Sequence, residues 1–163
     1  MSIRPLLLAL PLALAACQTE PAEAPAADAA VAPAASGPVV SDAYVPAAPE
    51  DGIGGVFMTI AGGAEADTLV GARSADAERV ELHETFDRGD GLRGMREVEG
   101  GVPVPAGGTA ELRPGGYHVM LIGLRRGLAP GDTVALDVEF AQAGTVAVRA
   151  VVRSLDAVGA PSE

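Results

Sequence analysis

The sequence predicts an all-β sandwich or barrel. Three observations carry that expectation. From about Val39 onward short β-type runs are separated by Gly, Pro and Asp, turn signals recur every ~8–12 residues, and the best-defined runs alternate apolar and polar side chains. With 163 residues, 48% of them hydrophobic, the chain can bury one core and carry accessory segments, which excludes a large multidomain enzyme.

Taken in order, the first residues stand apart from that core. Arg4 precedes the apolar run Leu6 to Leu14, and Ala15-Ala16-Cys17 follows. This is the tripartite order of an export signal, on a run too short to span a membrane as a mature helix. Leu14-Ala15-Ala16-Cys17 also resembles the bacterial lipobox. That likeness implies that residues 1–16 are a lipoprotein-type signal peptide, that Cys17 is lipidated, and that the mature chain is periplasmic and anchored to a membrane. Gln18 after the cysteine, rather than Asp, resembles the outer-membrane sorting pattern, which implies the outer membrane. An ordinary secretory signal with a cysteine near its cleavage site is the alternative.

Residues 17–38 read as a tether. Positions 18–38 hold nine Ala and four Pro, and Pro21, Pro25, Pro33 and Pro38 break any helical run. At about 3.1 Å per extended residue this segment reaches at most about 65 Å.

The folded domain is expected over residues 39–153. Its candidate strands are Val56–Ile60, Thr68–Arg73, Arg79–Phe86, Leu92–Val98, Thr109–Leu112, Gly116–Ile122, Thr133–Phe140 and Thr145–Val152. Alternation is clearest in the last two. Val134, Leu136, Val138 and Phe140 interleave with Asp137 and Glu139, and Val146, Val148, Ala150 and Val152 interleave with Arg149 and Arg153. Ala141 to Gly144 fits a hairpin loop between them, while Pro114-Gly115-Gly116 and Pro130-Gly131-Asp132 mark other turns. Residues 154–163 are expected to be a disordered tail.

Charge and composition narrow the function. All eleven cations are Arg, against 22 acids, for a net charge of -11, so a nucleic-acid partner is not expected, for want of clustered cations. Loss of residues 1–16 removes Arg4 and no acid, making the mature chain more acidic still and holding it off anionic lipid except at the acylated end. With its single cysteine acylated, the domain has no thiol for a disulfide, a thiolate metal site or a nucleophile.

The remaining soft donors are two histidines, His83 and His118, and, after signal removal, Met58, Met95 and Met120. On a strand, His118 and Met120 project from the same face about 7 Å apart. Alone, His-x-Met is better read as a satisfied histidine beside a core methionine. His83 shares a face with Arg79, Glu81 and Thr85, opposite Val80, Leu82 and Phe86, so its imidazole is expected to reach solvent; a plain surface histidine fits as well. Met95 alternates in phase with Arg93, Glu97 and Glu99 rather than with Leu92 and Val98. It lacks a packing reason there unless it fills a surface hollow or the register is shifted by one. Met58 reads as core. Imidazole plus thioether, without thiolate or a carboxylate cage, matches Cu(I), and a thioether cannot be lost to a disulfide in an oxidising compartment.

His83 and Met95 are twelve apart, and His118-Val119-Met120 follows after twenty-two intervening residues. Around them stand Val80-Glu81-Leu82-His83-Glu84-Thr85 and Glu111-Leu112-Arg113-Pro114-Gly115-Gly116-Tyr117-His118-Val119-Met120-Leu121, then Leu128 to Gly131 and Phe140 to Val146. Over residues 39–153 the chain thereby resembles the periplasmic copper chaperones called PCuAC. That family usually has twenty-one residues before its His-x-Met, which implies one extra residue in or beside Gly100–Gly108. Glu84 stands where some members carry a second methionine. The resemblance implies a cupredoxin-like Greek-key β-barrel that holds one Cu(I) through His83, Met95, His118 and Met120. It also implies delivery for cytochrome c oxidase assembly, to the oxidase copper centre or to a thiol-containing partner chaperone.

An enzyme is not expected, since no Ser-His-Asp setting is evident and no cysteine nucleophile survives lipidation. Asp87-Arg88-Gly89-Asp90-Gly91 lacks the bidentate acid of a calcium loop, having Val98 at its twelfth position, and Gly52 to Gly55 leads into a strand rather than a phosphate-binding helix. Two other readings compete: a copper-sequestering resistance lipoprotein, and a β-scaffold lipoprotein in which the donors are incidental. A monomer is expected.

Overall fold

The computed structural model of the chain describes residues 37–89 and 91–158. The expected signal peptide, Cys17 and nearly all of the expected tether lie outside the described residues, as do residues 159–163.

Ten strands are described: β1 Val39–Pro46, β2 Ile53–Ala61, β3 Asp67–Arg73, β4 Ala77–Gly89, β5 Leu92–Glu97, β6 Val102–Val104, β7 Thr109–Leu112, β8 Tyr117–Leu124, β9 Thr133–Phe140 and β10 Gly144–Arg153. Each run expected from the sequence falls on one of them. Two strands were not anticipated. In β1 the pairing with β2 shifts register between Ser41 and Tyr44, with Asp42 at φ 53, and this bulge breaks the period-two alternation. β6 is three residues long and contains Pro103, which a strand tolerates at a sheet edge. Leu155–Val158, assigned from sequence to the tail, forms one helical turn, α1.

The strands pair in the order β5-β4-β8-β7-β2-β1-β10-β9-β3-β6, and β8 also pairs with β2. Every pairing is antiparallel except β1 with β10 and the single Leu112–Tyr117 register of β7 with β8. The sheet curls so that β3 returns against β4 and β6 against β7. Apolar residues of both halves meet inside. Val134, Leu136, Val138 and Phe140 of β9 and Val148, Ala150 and Val152 of β10 are buried, and Met58 is 2% exposed, as its apolar neighbours require.

One buried carboxylate ties the far end together. Asp67 at the start of β3 accepts backbone N–H bonds from Thr68 (2.7 Å), Gln142 (3.0 Å) and Ala143 (2.9 Å), which pins the β9–β10 turn. Burial pushes its pKa up, but the backbone bonds from Thr68, Ala143, Gln142 and Ala141 outweigh this and hold it below the ordinary value.

The alternation of β4 and β8 sets up the other face. Leu82, Val119 and Leu121 point into the core. Their neighbours Glu81, His83, His118 and Met120 therefore point outward.

Candidate functional site

Strand register brings the expected donors to one area. Across β4 and β8, His83 is paired with His118 and Glu81 with Met120. On the other side of β4, Thr85 is paired with Met95 and His83 with Glu97 of β5. On the other side of β8, Gly55 of β2 is paired with Met120. Directly paired residues share a face, so all four sequence-predicted donors lie on one outer surface.

Three of them, Met95, His118 and Met120, line a cleft of about 280 Å³ whose walls include Ile53, Phe57 and Pro114. Its base is open because Gly55 lies there: a Cβ at that position would stand 3.2 Å from Phe57 Cζ and 3.9 Å from His118 Cδ2. The Phe57 ring is centred 6.1 Å from that of His118 and helps cover it, leaving His118 only 6% exposed. His83 is not part of the cleft lining. It stands against His118, ring centres 5.9 Å apart and planes at 58°.

The expectation that His83 reaches solvent is corrected here. Its side chain is only 14% exposed, because β4 is flanked on both sides and the ring is enclosed among Glu81, His118 and the β5 register. Met95 is exposed, at 58%, on the edge strand β5. Leu92, which the sequence places on the opposite, apolar face, is exposed too, since the outer part of the β4–β5 hairpin extends past the core. Arg96 braces that hairpin, bonding Glu84 across the strands and lying 5.1 Å over the Phe86 ring.

The two imidazoles are held by different nitrogens. His118 Nδ1 donates to the Gly116 carbonyl at 3.1 Å, and the same oxygen accepts the Thr85 N–H. The turn that presents Gly116 requires a glycine before it, Gly115 having φ 79. His83 Nε2 is 2.8 Å from Glu81 Oε2. The hydrogen bond from His83 is the main influence that lowers the Glu81 pKa; burial opposes it and Arg79 reinforces it. His83 Nδ1 is buried and has no hydrogen-bond partner among the described residues.

These features fit a soft metal ion. A metal–nitrogen bond is about 2 Å and an imidazole nitrogen lies about 1 Å from its ring centre, so two rings sharing one ion can have centres up to about 6 Å apart. The observed 5.9 Å falls within that span. Among the described residues no group of three or more His, Cys, Asp or Glu is placed to hold a metal. Imidazole and thioether donors beside an apolar wall suit Cu(I). Sequence reasoning missed Glu81, Gly55 and Phe57 as parts of the site. Only the strand register, placing Gly55 opposite Met120, could have revealed the last two.

The family model described as "Putative lipoprotein LpqE-like" matches residues 39–152. A curated relative, "Putative lipoprotein Lxx21020" of Leifsonia xyli subsp. xyli, is 37% identical over 125 residues, covering 73% of this chain and 71% of its own length. Among solved structures, CuI-DR1885 from Deinococcus radiodurans is 33% identical with a TM-score of 0.59, over 78% of this chain and 85% of that one. The copper-bound PCuAC domain of PmoF2 superposes with a TM-score of 0.57 at 23% identity, over 72% of this chain and 92% of that one, which is a likeness of fold.

Proposed function

The chain belongs to the LpqE-like family and has the cupredoxin-like β fold of PCuAC domains, and from that premise we propose that it is an extracytoplasmic Cu(I) carrier. The observation that supports this most is the outer surface where Met95, His118 and Met120 line one apolar cleft with His83 against His118. The solved relative at 33% identity is a Cu(I) form, and the family and curated relative are described as lipoproteins, in keeping with a lipid anchor on Cys17.

In this reading His83, His118, Met95 and Met120 hold one Cu(I). Neutral ligands leave the ion its single positive charge, and the apolar wall of Ile53, Phe57 and Pro114 offers water no partner on that side. Met95 is the most exposed donor and sits on an edge strand. It is therefore the first to be displaced when an acceptor thiolate approaches, and copper leaves through a mixed-ligand complex. The excess of carboxylates steers basic surface on the acceptor toward the carrier. The acceptor is the copper centre of cytochrome c oxidase or a thiol-containing chaperone that serves it, and the carrier works in the periplasm from a lipid anchor in the outer membrane. An exposed donor favours handover over storage.

Cu(I) titration against a competing chelator tests the reading. One tight site is expected for the unsubstituted chain, with weaker binding in His83→Ala, Met95→Ala, His118→Ala and Met120→Ala. Equal affinity in all five proteins would remove the copper assignment. Deleting the gene tests delivery: loss of oxidase activity at scarce copper is expected, whereas copper sensitivity alone would point to sequestration.

A further inference from the structure

We propose that Glu81 is a positioning residue that fixes His83 in its Nε2–H tautomer, so that Nδ1 is the nitrogen offered to copper. The proposal rests on the carrier reading above and deepens it. Glu81 and His83 are two residues apart on β4 and share its outer face. Their contact is Nε2 to Oε2 at 2.8 Å. The other carboxylate oxygen, Oε1, is held by Arg79 Nε, so the group is anchored from behind.

The proton assignment follows from what each group can do. An ionised carboxylate only accepts, so the hydrogen on this contact belongs to Nε2. A neutral imidazole carries one N–H, which leaves Nδ1 as a bare lone pair. That atom is the one buried side-chain nitrogen or oxygen among the described residues without a hydrogen-bond partner. A buried acceptor left unpaired is costly and calls for a reason. A metal ion received there supplies one. His118 is set the opposite way, since Nδ1 donates to Gly116 and Nε2 keeps the lone pair. The two rings thus present different nitrogens, each oriented by an oxygen acceptor on its far side, as metal-binding histidines commonly are.

Glu97 provides an internal control. It is the register partner of His83 on β5, yet it is exposed and makes no bond to the ring. Proximity of a carboxylate alone predicts equal roles for the two acids; the hydrogen bond predicts a role for Glu81 only.

The test uses the full chain in detergent and two-bond proton–nitrogen spectra of the imidazoles without metal, at a pH where both rings are neutral. His83 is expected in the Nε2–H form and His118 in the Nδ1–H form. Glu81→Ala is expected to give His83 a mixture of tautomers and to weaken Cu(I) binding about 10- to 100-fold. Glu81→Gln keeps an accepting oxygen and should restore the tautomer and most of the affinity, while Glu97→Ala should change neither. An Nδ1–H form of His83 in the unsubstituted chain, or a Glu81→Ala protein with unaltered tautomer and affinity, would overturn the proposal. Failure of the carrier reading would look different: the unsubstituted chain would not bind Cu(I), whatever the metal-free spectra showed.

Discussion

His83 and His118 stand directly opposite each other on adjacent antiparallel strands, with ring centres 5.9 Å apart. If one ion bridges them, their contributions to binding are not independent. His83→Ala and His118→Ala should each weaken Cu(I) binding by about 100-fold or more, and the double variant should bind only slightly worse than either. Competitive titration of the three variants measures this. Losses that simply add would mean that the two rings do not share an ion.

Gly55 keeps the base of the cleft open. Gly55→Val should place methyl groups against Phe57 and Met120 and weaken Cu(I) binding by at least about 10-fold, or about 1.4 kcal/mol. The strand itself should tolerate the β-branched residue, so thermal stability should fall by no more than about 1–3 kcal/mol. Unchanged affinity in a folded variant would show that the cleft is not where the metal sits.

Asp67 links stability to acidity. Its carboxyl is held below the ordinary value by backbone bonds, so the stability it contributes is fully present above the unfolded pKa of about 4 and is lost as pH falls through the lower folded value. Asp67→Asn should therefore be less stable than the unsubstituted chain near neutral pH, with the gap closing as pH drops below about 4. Urea midpoints at several pH values check this, and a gap independent of pH would contradict it.

Core and surface contributions should separate cleanly. Leu136 is 1% exposed inside the sheet, and Leu136→Ala should cost about 2–4 kcal/mol through lost burial and a cavity. Arg126 bonds Asp76, Asp132 and the Thr133 carbonyl, but its side chain is 41% exposed, so Arg126→Met should cost only about 1 kcal/mol. Urea unfolding of both proteins gives the order, and a larger loss for Arg126→Met would reverse it.

Much of this architecture was legible in the sequence because period-two alternation is a direct imprint of a sheet with one buried face. β9 and β10 show it residue by residue. Where local geometry breaks the period, the signal fails: the bulge at Asp42 hid β1, and Pro103 hid β6. The four donors could be picked out because so few soft side chains exist and their spacing resembles PCuAC. The enclosure of His83 could not be read, because it depends on which strands flank β4. Nor could the role of Glu81 be separated from that of Glu97, since both are acids near His83 in register or in sequence and only the coordinates show which one bonds it.

Strand β1 is the first strand of the described chain, yet it lies well inside the sheet, paired on one side with β2 and on the other with β10. A pull on the N-terminal end of β1 therefore loads the Val39–Ser41 ladder to β2 first, and the parallel pairing with β10 takes up force only from Tyr44, past the bulge. The edges, where a strand can be peeled away bond by bond, are left to β5 and β6. Force entering at β1 thus meets two successive lines of backbone bonds before the core is reached, instead of unzipping an edge strand.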